Sequence, residues 1–184
     1  MGKVYDAIDD ATARFVERQR MFFVATAPRA DDGHVNVSPK GIDGTFAILA
    51  PKRVAYLDFV GSGVETIAHL RENGRITLMF TAFEGSPKTV RLYGTGRAIL
   101  TGDPTFDEAA APFAPLARVG PNARAVIVVD VERVAHSCGY GVPLYTFDGE
   151  RTQLDAWAER KGPDGIRAYA REKNARSIDG LKGL

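Results

Sequence analysis

Short apolar runs, cut off from one another by glycine, proline and acidic turns, leave this 184-residue chain few architectures. Helical segments are inserted singly between the runs instead of following every strand. Regular alternation of strands and helices would build a parallel sheet, whereas this order predicts a mainly β fold, an antiparallel barrel with peripheral helices. MFFVATA (21–27) stops at Pro28 and at Asp31-Asp32-Gly33, a hairpin signal. HVNVS (34–38) alternates, with Val35 and Val37 on one side and His34, Asn36 and Ser38 on the other. Further strands are expected at 45–49, 53–59, 75–80, 88–100 and 123–134, which makes six or seven in all. Gly94 and Gly96 interrupt the longest run, and glycine inside a strand marks a bend, a bulge or a close backbone approach.

The helical signals are fewer. Tyr5, Ile8, Thr12, Phe15 and Val16 share one face at three-four spacing and predict an N-terminal helix. Ser62 with Glu65 three residues on reads as a capping box, and Asn73-Gly74 ends that helix. Asp103-Pro104 opens another, and two short helices are expected at 152–161 and 163–174. The tail SIDGLKGL reads as an arm or a disordered end. Residues 1–136 thus form a barrel domain with its N-terminal helix, and 137–184 form a helical extension packing on the barrel or on a dimer partner.

Charge and cysteine content narrow the function classes. A formal net charge of +1 supplies no global field for nucleic acid or for anionic lipid. The single cysteine, Cys138, cannot form an internal disulfide, so a reducing cytoplasm is the expected compartment. No apolar stretch is long enough to cross a bilayer, and the mixed charges of MGKVYDAIDDATARF are unlike a signal peptide. His34, His69 and His136 lie far apart without metal-ligand spacing, so no metal site is expected. A nucleophile elbow, a P-loop and a dinucleotide-binding glycine motif are all missing from the sequence.

What remains is an anion site. GSGVET (61–66) offers free backbone N–H groups at a helix start, with hydroxyls from Ser62 and Thr66. VNVSPKG (35–41) brings Ser38 and Lys40 to the end of a strand, so the two segments together make a phosphate clamp. The alternative reading is structural: Ser62 only caps, Gly61 and Gly63 only turn, and Lys40 is a solvated lysine. Arg91, Tyr93, Thr95 and Arg97 share one strand face, which either meets solvent or lines a wet site.

HVNVSPKG, then VAYLDFVGSGVETIAHLRENGRITLMF, then VRLYGTGRA resembles the pyridoxamine 5′-phosphate oxidase-like family, the flavin-binding split β-barrels. The likeness covers roughly residues 20–135. It implies a homodimer with FMN at the subunit interface and a small organic molecule as substrate. By that likeness Val35, Asn36, Val37, Ser38 and Lys40 lie along the flavin and reach its phosphate. Tyr56 and Leu57 bring backbone groups near the ring or ribityl chain, Ser62, Gly63 and Thr66 form the helix start, and Arg91 bonds the isoalloxazine edge. The sequence departs from the family at Glu65-Thr66, where an Arg-Lys pair is usual, and it lacks the C-terminal Arg-x-His of true pyridoxamine phosphate oxidases. The resemblance therefore implies a flavin-dependent oxidoreductase outside vitamin B6 synthesis. Related barrels use the deazaflavin F420 or carry flavin or haem without catalysis, and His34 or His69, the latter read as an exposed helix residue, would be the haem ligands. Cys138, Tyr140 and Trp157 would complete the pocket from the partner subunit, or form an ordinary loop and docking helix. No side chain stands out as an acid or base, and Tyr93 and Tyr140 are the only ones to test.

Overall fold

The computed structural model describes residues 2–116 and 120–184. Its strands are β1 (Lys3–Tyr5), β2 (Phe22–Thr26), β3 (Asn36–Lys40), β4 (Phe46–Ala50), β5 (Arg53–Phe59), β6 (Arg75–Thr81), β7 (Thr89–Leu100) and β8 (Ala123–Ser137). Its helices are α1 (Asp10–Glu17), α2 (Glu65–Asn73), α3 (Phe106–Ala110), continued by a 3₁₀ stretch, Ala111–Leu116, and α4 (Gln153–Lys173). The eight strands form one antiparallel sheet in the order β3-β2-β6-β7-β8-β5-β4, with β1 paired to β8. The sheet curls as the sequence predicts but does not close, so β3 and β4 remain its two edges.

Two expectations need correction. Lys3–Tyr5 is a strand paired to Val134–His136, not the first turn of a helix. Helix α1 begins only where Asp9 caps it, its Oδ1 accepting the Thr12 N–H at 2.7 Å. Three-four spacing from Tyr5 onward cannot distinguish a strand followed by a short helix from one longer helix. At α2 the capping box does not form: the helix starts at Glu65, the cap position is Val64, and no side chain caps it. Its C-terminal end is as expected, because Gly74 adopts φ 71° and returns its N–H to the Leu70 carbonyl at 3.1 Å.

Alternation sorts the sheet's side chains into two cores. Val24, Val54, Tyr56, Leu78, Leu92 and Ile127 point into the curled interior, where α2 contributes the fully buried Ile67. Ala55, Leu57, Val126 and Val128 point the other way, onto Phe106 and Phe113 of the α3 segment. Burying each large apolar side chain contributes roughly 1.5–3 kcal/mol. Across the gap between the two edges the interior is closed by rings: Phe22 lies 5.3 Å from Phe46 and 5.5 Å from Tyr56.

The long strand β7 shifts register between Tyr93 and Gly94, so the interrupting glycine does mark a bulge. Helix α4 is two helical halves joined at Gly162, with φ 62°, followed by Pro163. That agrees with the two short helices expected there. Trp157 stacks edge-on against Tyr169 at 5.1 Å and packs on a small core of Val60, Ala158 and Ile166, as a docking helix does. The tail is ordered: a turn from Ser177 to Leu181 is closed by the Arg176–Lys182 bridge. None of the helices among the described residues is long and apolar enough to cross a membrane.

Candidate functional site

The alternation of β3 runs opposite to ordinary polarity. Val35 and Val37 are exposed, 70% and 62%, while Asn36, Ser38 and Lys40 turn toward the interior. Asn36 donates through Nδ2 to Thr26 Oγ1 at 3.2 Å and to Thr66 Oγ1 at 3.0 Å, tying the strand to the first turn of α2. Thr26 in turn is hydrogen-bonded to Nδ1 of His69 at 2.9 Å. His69 is fully buried, not exposed as expected, because α2 packs against β2, β6 and β7 instead of lying on the surface. Burial holds its pKa below 6.5, so it is neutral, and its Nε2 has no partner.

Lys40 reaches across the gap to β5. Its Nζ lies 2.9 Å from Asp58 Oδ1, and Arg124 Nε lies 2.7 Å from Asp58 Oδ2. Asp58 is buried at 1% exposure. Burial alone would raise its carboxyl, but Lys40 and Arg124 outweigh it and hold the group ionised, below its ordinary value. Arg124 sits at the bulge where β5 and β8 shift register, which turns it off the ladder and toward Asp58. It also donates to the Gly63 carbonyl at 2.7 Å and to Asn174 Oδ1 at 2.8 Å, while Asn174 Nδ2 donates to the Gly61 carbonyl at 2.9 Å. Beside this network the hydroxyls of Ser38 and Tyr56 are buried without partners. Burial and the neighbouring Asp58 charge push the Tyr56 phenol well above its usual value, so it stays a proton donor.

The loop before α2 is engaged from the C-terminal side. Glu65 folds its carboxylate back beside Gly63 and accepts the Ile178 N–H at 3.3 Å, while Ser62 is exposed. Asp179 accepts the His34 backbone N–H at 2.8 Å and pairs with His34 Nδ1 at 2.6 Å. Two carboxylates thus stand at the positive end of the helix. The hydrogen bond to Asp179 raises the pKa of His34 above 6.5, so this latch is complete below 6.5 and is lost as pH rises through the raised value. The protection factors of residues 175–184, with the intrinsic pH dependence of amide exchange divided out, are expected to fall as pH rises through that range, and Asp179→Asn to remove the fall. Equal protection factors at both ends of the range would contradict the latch.

The expected site residues fall in four places. Asn36, Ser38, Lys40, Tyr56 and Thr66 meet in the interior network, and Gly63 adjoins it through Arg124. Leu57, one residue from Tyr56, belongs to the other core beneath α3. Ser62 faces outward. Val35, Val37 and Arg91 lie on the outer face of the sheet, where Pro39, Phe23, Met79, Arg91 and Ala135 form one cross-strand row. Three strand spacings separate Arg91 from β3, ~14 Å. Arg91 is half-buried and donates to the Ser137 hydroxyl at 3.0 Å. Cys138 and Tyr140 are exposed at the end of β8. Asp58 and Arg124 escaped sequence reasoning, although alternation from Val54 through Tyr56 does place Asp58 inward, where a carboxylate demands a cation.

At the end of the sheet opposite α2, Lys40 and Pro39 also line a groove of about 1280 Å³. It runs between α1, the β6–β7 turn and residues 145–151. That last segment is strapped down by Tyr145 N–H to the Phe83 carbonyl at 2.9 Å and by Phe147 N–H to Glu84 at 3.2 Å.

These residues divide on a flavin. On the outer face the row of Phe23, Met79 and the anchored Arg91 fits an isoalloxazine ring. The α2 start does not fit a phosphate, because Glu65 and Asp179 stand there and Lys40 is held by Asp58.

Residues 8–138 match the family described as pyridoxamine 5′-phosphate oxidase. Over 194 aligned residues the chain is 43% identical to the pyridoxamine 5′-phosphate oxidase family protein ustO of Aspergillus flavus, covering 98% of this chain and 77% of that protein. HupZ of Group A Streptococcus has a similar fold. Its H111A form superposes with a TM-score of 0.57 at 24% identity, over 71% of this chain and 99% of that one. A second HupZ structure gives 0.55 at 24% identity, over 69% and 91%. The curled antiparallel sheet, the family match over most of the chain and the close relative agree, and the chain belongs to the pyridoxamine 5′-phosphate oxidase family.

Proposed function

We propose that this protein is a flavin-dependent oxidoreductase that acts on a small organic substrate as a cytoplasmic homodimer, with the flavin ring between the subunits. The observation that carries the reading is the outer sheet face. Val35, Val37, Phe23, Met79 and Tyr93 present an apolar surface, and Arg91 is the one cation in the central cross-strand row. A water-exposed sheet face of this composition is better covered than bare. Because Arg91 and the β3 edge are three strands apart, a flavin touching both lies across this face, and a second copy covers it.

A bound flavin supplies hydride or electron transfer. The chain's part is to bind and orient it. Arg91, fixed by Ser137, favours negative charge at the ring's N1–O2 edge, and the free edge of β3 offers main-chain donors and acceptors. The substrate-gripping Arg-x-His of pyridoxamine phosphate oxidases is missing from this sequence, which argues against pyridoxamine phosphate as substrate.

Protein purified without added cofactor is expected to carry a flavin absorption spectrum. Arg91→Ala is expected to weaken flavin affinity about tenfold, about 1.4 kcal/mol, with thermal stability kept. A deazaflavin or haem spectrum, or a colourless protein that takes up no flavin, would overturn the reading. Elution as a monomer would overturn the interface.

A further inference from the structure

The groove at the Lys40 end of the sheet has both a shape and a charge that the proposed flavin face does not use. Its volume of about 1280 Å³ accommodates a small molecule without rearrangement. Phe15, Phe83, Tyr145 and Phe147 supply flat apolar walls. Arg18, Arg20, Lys88 and Arg151 also line it, and none of the four is in an ion pair among the described residues. Two of these cations are already placed: the Arg20 guanidinium sits 4.8 Å over the Phe147 ring and Lys88 Nζ 4.7 Å over the Phe15 ring. Glu84 and Glu150, the acids in the lining, each accept a backbone N–H, from Phe147 and from Asp43. Cations held on ring faces, beside acids bound to the main chain, select a ligand that is planar and negative.

We infer that this groove binds an aromatic carboxylate, its ring between Phe15 and Phe147 and its charge at Arg20 and Arg151. Since Lys40 and Pro39 end the β3 strand, such a ligand would be the substrate of the proposed flavin site, and only that assignment rests on the flavin reading. The affinity for an aromatic anion does not. The strap of residues 145–151 brings Phe147 and Arg151 to the groove, so the extension beyond the barrel would set specificity.

The test is calorimetric titration of the purified protein with 2-naphthoate and with the neutral 2-naphthamide, flavin content being read separately from absorbance. The expected result is saturable 2-naphthoate binding at least about tenfold tighter than that of 2-naphthamide. Arg20→Glu and Arg151→Glu, both exposed positions, are each expected to weaken 2-naphthoate about tenfold while leaving flavin content and the far-ultraviolet spectrum unchanged. Equal binding of the two probes, or charge reversals without effect, overturns the proposal. Flavin-loaded protein that binds no 2-naphthoate sinks the groove alone. Protein without flavin that still binds it upholds the groove and sinks the flavin reading.

Discussion

Replacing Asp58 with alanine is expected to lower the unfolding free energy by about 3–5 kcal/mol, the usual cost of breaking a buried ion pair from one side. Asp58 is 1% exposed and meets two cations at 2.9 and 2.7 Å. Without it, Arg124 keeps its bonds to Gly63 and Asn174, but its charge stays buried with no counter-ion. Lys40 is a quarter exposed and can swing into water, so the loss falls mainly on Arg124. Urea unfolding at neutral pH measures the difference, and a loss below about 1 kcal/mol would contradict this account. The acid limb gives a second reading. The Asp58 carboxyl is held below 3.8, so its contribution is present above that value and is lost as pH falls through the lowered one. Wild type and Asp58→Asn should therefore converge in strong acid.

Gly94→Ala is expected to cost about 3 kcal/mol, the upper end for forcing a methyl group into packed structure. A Cβ there would overlap the Asp130 carbonyl oxygen and stand 2.9 Å from its carbon and 3.1 Å from Val131 Cα. All three atoms are backbone of β8, the strand that pairs with β7, β5 and β1, so relief means moving the middle of the sheet. Gly96→Ala is the control. The nearest atoms to its Cβ would be side-chain methyls of Leu70 and Ile76, at 3.0 and 3.1 Å, which give more readily than backbone. Similar melting temperatures for the two variants would contradict the bulge as the cause.

Local pattern was enough for most elements. Strand β5 spans 53–59 as expected, Gly74 ends α2 where Asn73-Gly74 predicts it, and the Gly94 interruption is a true bulge. The misreadings share a physical origin in contacts remote along the chain. Ser62 and Glu65 have capping-box spacing, but Glu65 opens the helix and bonds Ile178, 113 residues away. Lys40 reads as a surface or phosphate lysine until Asp58 is seen opposite it. His69 looks exposed because α2 carries polar side chains on several faces, yet three strands pack around that helix. The site was legible as a group of segments, β3, β5 and the start of α2. Its division between the interior and the outer face was not, since that depends on how the sheet curls.

The bond from Arg124 to Asn174 also sets an order of events during synthesis. Arg124 belongs to the barrel and Asn174 to the extension, 50 residues later, yet both sit on the same buried carboxylate network. While the chain is being made, the barrel can pair its strands but must hold Arg124 short of its last partner until residue 174 has left the ribosome. Docking of the segment around Asn174 onto the loop at Gly61 thus comes after the barrel has been synthesised. A chain stalled before that point would leave the Arg124 guanidinium and the Gly61 carbonyl without their Asn174 partner, an opening of the kind that chaperones and proteases meet in incomplete chains.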